Sequence, residues 1–462
     1  MFFGKSYWKT QEQAIQREWL LTNGIGGFAG GTITGMNARR YHGLLVASFT
    51  PPVDRYLILS AVSESVRLYP ANDDSLLMDA GQRGQALQEK ASARMKKGRK
   101  TDREKSESVP DRCLQEVYLH SFRTPDFQGH GEYFLEAFHY EFIPEFHYRI
   151  GTMTLTKRVC LCYGKNQAAV VYRVKNQPDR RAVIRLTPLV NYRNYHYLSS
   201  HRDMAFTTDL NGSVMEIVSF DKNRRIYLEC AEGRPVLMDS CYFYNMDYPY
   251  EHERGLNGTE DHYIPGYYEI ELSPGEERTI TLVCSAGEKI SSLDGEAMIA
   301  QEISRQKALL EKGPPEEISR TDPFLDQLLL AADKFIVHRQ STNAKTVIAG
   351  YPWFTDWGRD TMIAMPGLTL ATGRFEDARE ILFTFARYEK DGLIPNVFPD
   401  GEGEPAYNTV DAALWYFEAV YGYLQATGDL LFVKERLLPV LEKIIQGYKK
   451  GTAFQIGMQK DS

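Results

Sequence analysis

Near residue 290 the hydrophobic pattern changes period, and a chain with that change must fold as a β-rich part followed by a helical part. Before it, short runs of β-branched and aromatic residues are broken by Gly, Pro, Asn and Asp, as in YRIGTMTLTKRVCLCYG, QAAVVYRVKN, RAVIRLTPLVNY and RTITLVCSAG. Strands at this spacing, with no helices between them, predict antiparallel sheets stacked as a sandwich over residues 1–290. After the change, EAMIAQEISRQKALLEKG reads as a helix that Gly313, Pro314 and Pro315 end, giving a linker helix within 291–318. Asp322 then suits an N-cap with Pro323 at the first helical position. An apolar stripe of Phe324, Leu328, Ala331, Ala332 and Phe335 follows.

Further helices are expected at about 359–371, 375–388, 408–426 and 430–450 within a segment running from 319 to 462. Two junctions in it are alike: Ala371-Thr372-Gly373 leads into one helix, and Ala426-Thr427-Gly428 into another. Each Gly fits a left-handed C-cap, and the offset of about 55 residues predicts an array of helical hairpins, none of which buries its apolar face alone. Six hairpins of that length would need roughly 330 residues. Residues 322–462 supply less than half, so the array is expected to be incomplete.

Composition matters mainly for what it excludes. The 462 residues are 43% hydrophobic and 25% charged, the balance of a soluble globular protein. A net charge of −7 gives no positive field for nucleic acid or an anionic membrane, so a neutral ligand is expected. The first residues, MFFGKSYWKTQEQ, lack a signal-like apolar stretch, no later run is long enough to span a bilayer, and the six Cys lack regular spacing. A cytoplasmic location and reduced thiols are the expectation. Cys160 and Cys162 form C-x-C without a second ligand pair, so no metal is assigned, and the sequons at Asn211 and Asn257 carry no weight in a cytosolic chain. Residues 77–111 are polar and rich in Lys and Arg, which reads as a basic surface insertion.

Among the motifs, NGIGGFAGGT at 23–32 looks like a dinucleotide fingerprint but is followed by strand and turn, without the helix that a pyrophosphate requires. His42 and His338 are read as structural. Chemistry concentrates in AGYPWFTDWGRDTMIAMPGL, residues 349–368. There Tyr351, Trp353 and Trp357 stand among Asp356, Arg359 and Asp360. Planar rings cover the apolar faces of a sugar while Arg and Asp hold its hydroxyls, so these six residues form a candidate sugar subsite. Capping or bracing of the helix start would use the same residues, and the sequence leaves both roles open. A second cluster carries Asn396, Glu402, Glu404, Asn408 and Asp411 ahead of a helix with Trp415 and Tyr416. Asn408 or Thr409 would serve as its N-cap, with Asp411 in the first turn.

WFTDWGRDTMIAMPGL, followed by GLIPN and YNTVDAALW, resembles the amylo-α-1,6-glucosidase domain of glycogen debranching enzymes, and EWLLTNGIGGFAGGTITGMNARRYHGLLVAS resembles the entry to the N-terminal domain of their bacterial and archaeal type. The resemblance implies an N-terminal antiparallel β-supersandwich followed by an incomplete (α/α)6 barrel, and a glycoside hydrolase that acts on branched α-glucan, glycogen or limit dextrin, without cofactor or metal. It implies that Arg359 and Asp360 hold the terminal glucose. The family's general acid sits in a T-W-M-D motif, which this sequence lacks; the resemblance puts it just past Ser462, with the general base later. Tyr351, Trp353, Asp356, Trp357, Arg359, Asp360, Asn396, Asn408 and Asp411 are therefore expected to bind substrate, and the chain to be truncated and inactive alone. A non-catalytic glucan-binding protein, or a phosphorylase or other glycosidase of the same architecture, are the alternatives.

Overall fold

The computed structural model describes residues 1–71, 115–125, 127–219, 224–312, 323–398 and 404–459. The basic stretch 77–111 and Glu402 lie outside the described residues, as do Asp322 and the Gly-Pro-Pro at 313–315.

The strands form two large antiparallel sheets. One runs, edge to edge, Phe2–Gly4, Leu135–Tyr140, Pro144–Ile150, Met153–Leu161, Gln167–Lys175, Glu277–Ala286, Arg225–Cys230, Val214–Val218 and Thr207–Asn211. The other runs Arg234–Asp247, Thr259–Leu272, Arg180–Asn194, Val53–Pro70, Gly43–Thr50, Phe28–Thr32 and Glu18–Thr22, with Gln115–Tyr118 paired to Val53–Pro70. Inward side chains of both sheets, such as Phe146, Val170 and Leu282 from the first and Leu59, Val66 and Ile184 from the second, share one core. That is the sandwich the strand pattern predicts. Strand Gln167–Lys175 is apolar on both faces because each is covered. Val170, Tyr172 and Val174 enter the sandwich, while Ala169 and Val171 meet Met298 and Ile299 of a helix on the outside.

The helices are labelled α1 (Gln11–Ile15), α2 (Pro249–Glu253), α3 (Gly295–Lys312), α4 (Pro323–Asp333), α5 (Gly358–Met365), α6 (Phe375–Arg387), α7 (Asp411–Thr427) and α8 (Leu438–Lys450). A turn at Leu430–Phe432 and a wide turn at Val433–Leu437 lead into α8. The expected linker helix is α3. It is pinned to the outer sheet by Glu296, which accepts two hydrogen bonds of 2.8 Å from Arg173 and pairs with Arg158. Buried Asp333, at the end of α4, then ties α3 to the start of α6, pairing with Arg305 at 2.9 Å and Arg374 at 2.7 Å.

The glycines at the two similar junctions are left-handed, Gly373 with φ +73° and Gly428 with φ +68°, as their positions predict. Other expectations need correction. The stripe on α4 is rotated: Phe324 (64%) and Leu328 (50%) are exposed, whereas Leu329, Leu330 and Ala332 are buried. After α4 the chain forms a hairpin, Ile336–Arg339 with Ala344–Val347, that the helical pattern did not predict. Helix α7 starts at Asp411 after Val410, with no side-chain cap, so neither Asn408 nor Thr409 is its N-cap. The glycines at 23–32 serve a turn into strand Phe28–Thr32: a Cβ on Gly26 would lie 2.3 Å from the Pro52 carbonyl oxygen. His42 accepts from the Ala38 amide at 3.0 Å and faces Glu18, a structural arrangement.

Candidate functional site

The segment after the hairpin is closed on itself before it delivers its side chains. Ala349 donates to the Thr355 carbonyl at 2.9 Å and Phe354 to Gly350 at 2.8 Å, which makes a tight loop. Asp356 anchors its base. One carboxylate oxygen accepts from Arg339 at 2.6 Å, the other from Thr346 at 3.0 Å, and only 1% of the residue is exposed. Burial pushes its pKa up, against the lowering effect of the Arg339 guanidinium. With only 1% of the residue exposed, Asp356 supports the loop from within: the sequence groups it with the sugar-facing residues, but in the fold it faces Arg339 and Thr346.

The β-rich part holds the tip of this loop. Arg55, itself buried, donates to the Phe354 carbonyl at 3.2 Å and lies 5.2 Å from the centre of the Tyr351 ring, which also meets Phe28 edge-on at 5.6 Å. The Tyr351 hydroxyl is buried without a hydrogen bond, and burial pushes its pKa up to about 12. Trp353 is 38% exposed and sits between Tyr41, at 6.3 Å, and the Arg39 guanidinium, at 5.5 Å. Trp357 packs edge-on against Phe354 at 6.0 Å and takes the extended backbone that precedes α5.

Gly358 then brings in the second cluster. Its amide donates to the Asn396 carbonyl at 2.6 Å, and a Cβ there would lie 2.0 Å from the Pro395 carbonyl oxygen. No other residue allows this approach. The far side of the same loop is pressed onto α8, where Gly392 and Gly447 meet backbone to backbone. The loop so clamped holds Asn396 beside the first turns of α5 and α7. Arg359 of α5 donates to Asp411 of α7 at 3.3 Å, and its Nε lies 3.7 Å from Asp360.

What distinguishes this place is the set of buried polar atoms that make no hydrogen bond within the protein: Asp360 Oδ2, Asn396 Oδ1, Thr409 Oγ1 and Asp411 Oδ1. Leaving such atoms without partners costs on the order of 1–3 kcal/mol each, so a folded protein keeps them where a ligand or water completes them. They offer acceptors almost exclusively, next to the guanidinium of Arg359, two residues after Trp357, which leads into α5. The complement is a ligand rich in O–H donors with apolar faces. Among the described residues no group of His, Cys, Asp or Glu is placed to hold a metal ion.

Of the nine residues the sequence singles out, Arg359, Asp360, Asn396 and Asp411 come together, with Trp353 and Trp357 on the preceding loop. Tyr351 and Asp356 are inside, supporting that loop. Asn408 is exposed in the segment leading to α7. Glu404 is also exposed, 3.4 Å from Lys390. Sequence reading missed Arg39, Tyr41, Arg55 and Thr409. The first three lie about 300 residues from Trp353; the only signal for Arg39 and Tyr41 was aromatic and basic residues in a segment, NARRYHG, otherwise read as strand and turn, and Arg55 had none.

Residues 330–462 match the family model described as amylo-alpha-1,6-glucosidase, and residues 17–80 with 112–279 match that described as glycogen debranching enzyme N terminal. The glycogen debranching enzyme of Saccharomyces cerevisiae is 34% identical over 140 residues, 28% of this chain and only 8% of the yeast protein. Two solved structures share 11–12% identity: a bacterial glucoamylase complexed with acarbose (TM-score 0.46, 94% of this chain, 56% of that one), and a protein described as kojibiose phosphorylase from the human microbiome (TM-score 0.41, 72% and 50%). With the N-terminal model alone covering half of its length, the chain belongs to the glycogen debranching enzyme family.

Proposed function

We propose that the Arg359 cluster binds the terminal glucose of a branched α-glucan, and that the protein acts as a debranching α-1,6-glucosidase using one carboxylic acid and one carboxylate base. The observation that carries this reading is the set of four unpartnered acceptor or hydroxyl groups, on Asp360, Asn396, Thr409 and Asp411, around the Arg359–Asp411 pair. Neutral polyols match that set better than anions, which Asp360 and Asp411 would repel. In this reading the chain is a sandwich domain and the first hairpins of an (α/α)6 barrel, joined by α3. The catalytic acid and base lie outside residues 1–462, and these residues supply the binding half. Asp356 is set aside for either role, since Arg339 holds one of its oxygens and Thr346 the other in a residue only 1% exposed.

Titration of the chain with a branched dextrin is the test. Arg359→Ala and Asp360→Ala should each weaken binding about 10-fold or more, the loss of one charge-assisted hydrogen bond. Both side chains are more than a third exposed, so their mutual pairing stabilises the fold by at most about 1 kcal/mol. Unchanged affinity together with a large drop in Tm would mean that the cluster is only a helix brace. Glucose release from limit dextrin is expected only from a longer polypeptide that supplies the acid and base.

A further inference from the structure

A second recess, of 350 Å³, lies on the sandwich and is lined only by residues of its first part, from Lys5 to Tyr133. That volume falls in the range of small-ligand sites. Three features of its wall are unusual together. Trp8 is buried, with only 6% exposed, yet its indole N–H has no hydrogen-bond partner. A desolvated donor of this kind is kept where something else accepts from it. Tyr133, in contrast, is 68% exposed. The His130 imidazole stacks on one face of its ring, with centroids 5.0 Å apart and planes 10° from parallel, and the opposite face is open. Glu132 lines the same wall and is held from two sides: it accepts from the Ser121 hydroxyl at 2.7 Å, and its other oxygen lies 3.2 Å from His130 Nδ1.

An open aromatic face, a fixed carboxylate acceptor and a waiting N–H donor are what a pyranose needs, because its ring has apolar faces and each hydroxyl both donates and accepts. The Lys9 ammonium adds a further donor at the rim. With Lys5 and Lys9 at the rim and the Glu132 carboxylate in the wall, the lining carries charges of both signs, and the Lys5 ammonium is engaged by the Tyr133 carbonyl at 3.3 Å, so the recess is not an anion cradle. We propose that this recess is a second carbohydrate-binding site, which takes a short segment of a neutral glucan chain at a place formed entirely by the sandwich. The choice of glucan rests on the function proposed above, while the site is independent of the Arg359 cluster. A protein that works on a branched polymer gains from such a site, since holding one chain raises the effective concentration of its neighbours at the other.

Isothermal titration with maltohexaose tests it, using Tyr133→Ala, Trp8→Phe and Trp353→Ala. Tyr133 is largely exposed, so its variant does not threaten folding. Trp8→Phe keeps an aromatic ring and removes the N–H. The expected result is two classes of sites in the parent chain. Tyr133→Ala should remove one class, Trp8→Phe should weaken that class about 10-fold, and Trp353→Ala should remove the other. Loss of all binding in Tyr133→Ala, with Trp353→Ala unchanged, upholds the recess and refutes the Arg359 site. Titrations of Tyr133→Ala and Trp8→Phe that both match the parent overturn the recess, whatever Trp353→Ala does.

Discussion

At the scale of single residues, two positions decide whether the aromatic loop and the 391–398 loop hold their shape. Gly358 has no room for a methyl group against Pro395, so Gly358→Ala should force the 391–398 loop away from α5. Overpacking of this kind costs about 1–3 kcal/mol. A melting curve should show that loss together with weaker dextrin binding, because Asn396 moves with the loop; an unchanged Tm would mean that the loop yields freely. Asp356→Asn should be more damaging. It removes the carboxylate charge that the buried Arg339 faces at 2.6 Å, and breaking a buried pair costs on the order of 3–5 kcal/mol. Denaturant unfolding measures this directly, and a change below about 1 kcal/mol would remove Asp356 from its supporting role. The sequence placed Asp356 and Asp360 in one cluster because they are four residues apart and chemically alike. Their separation is tertiary: the hairpin Ile336–Arg339 and Ala344–Val347 presents Arg339 and Thr346 to one and nothing to the other.

At the scale of elements, the helix ends and the strand faces were legible for local reasons. Gly428 caps α7 with φ +68°, and a Cβ there would touch nothing within 4 Å, so Gly428→Ala isolates the backbone term. It should destabilise by about 1–2 kcal/mol, the cost of a left-handed non-glycine residue, without altering sugar affinity. A melt that equals the parent's would show that the helix end relaxes instead. The stripe on α4 was misread because Leu328, Leu329 and Leu330 are consecutive, so sequence periodicity alone did not choose the buried face. Packing against α3 and against the turn at Pro366–Leu370 chose it. Likewise Val410, which precedes α7, and Leu414 and Tyr421 within it are exposed along one side, a spacing that looks identical to a core face in sequence.

At the scale of the whole molecule, burial sets the response to acid. His262 is fully buried between Glu260, Tyr248 and Asn191, and burial pushes its pKa down to about 4, as it does for His120. An unfolded chain takes up these protons near pH 6.5, whereas the folded chain resists until about 4. The unfolded state therefore binds more protons in that window. Stability is fully present above pH 6.5 and is lost as pH falls toward 4, by an amount on the order of a few kcal/mol for the two histidines. Tm measured across pH 4–7 should fall on the acid side, and His262→Gln should flatten the slope; a flat profile in the parent would contradict the burial. Exposed Tyr421, Leu430 and Leu431 give the helical part an apolar surface, so the chain should bind a hydrophobic dye. Leu431→Lys should reduce that signal.

Local sequence was enough to dictate the change from strands to helices near residue 290, the linker helix, the glycine caps and the two polar clusters. All of these depend on neighbours within a few turns of chain, and local periodicity and turn chemistry report such neighbours. Long-range packing alone made Asp356 a strut, brought Arg39, Tyr41 and Arg55 to the aromatic loop from the other end of the chain, and set Asn396 beside Asp360 and Asp411. Those facts depend on contacts between residues tens to hundreds of positions apart. The loop closure at Gly358 and the packing of the sandwich bring them together, and no local pattern encodes that meeting.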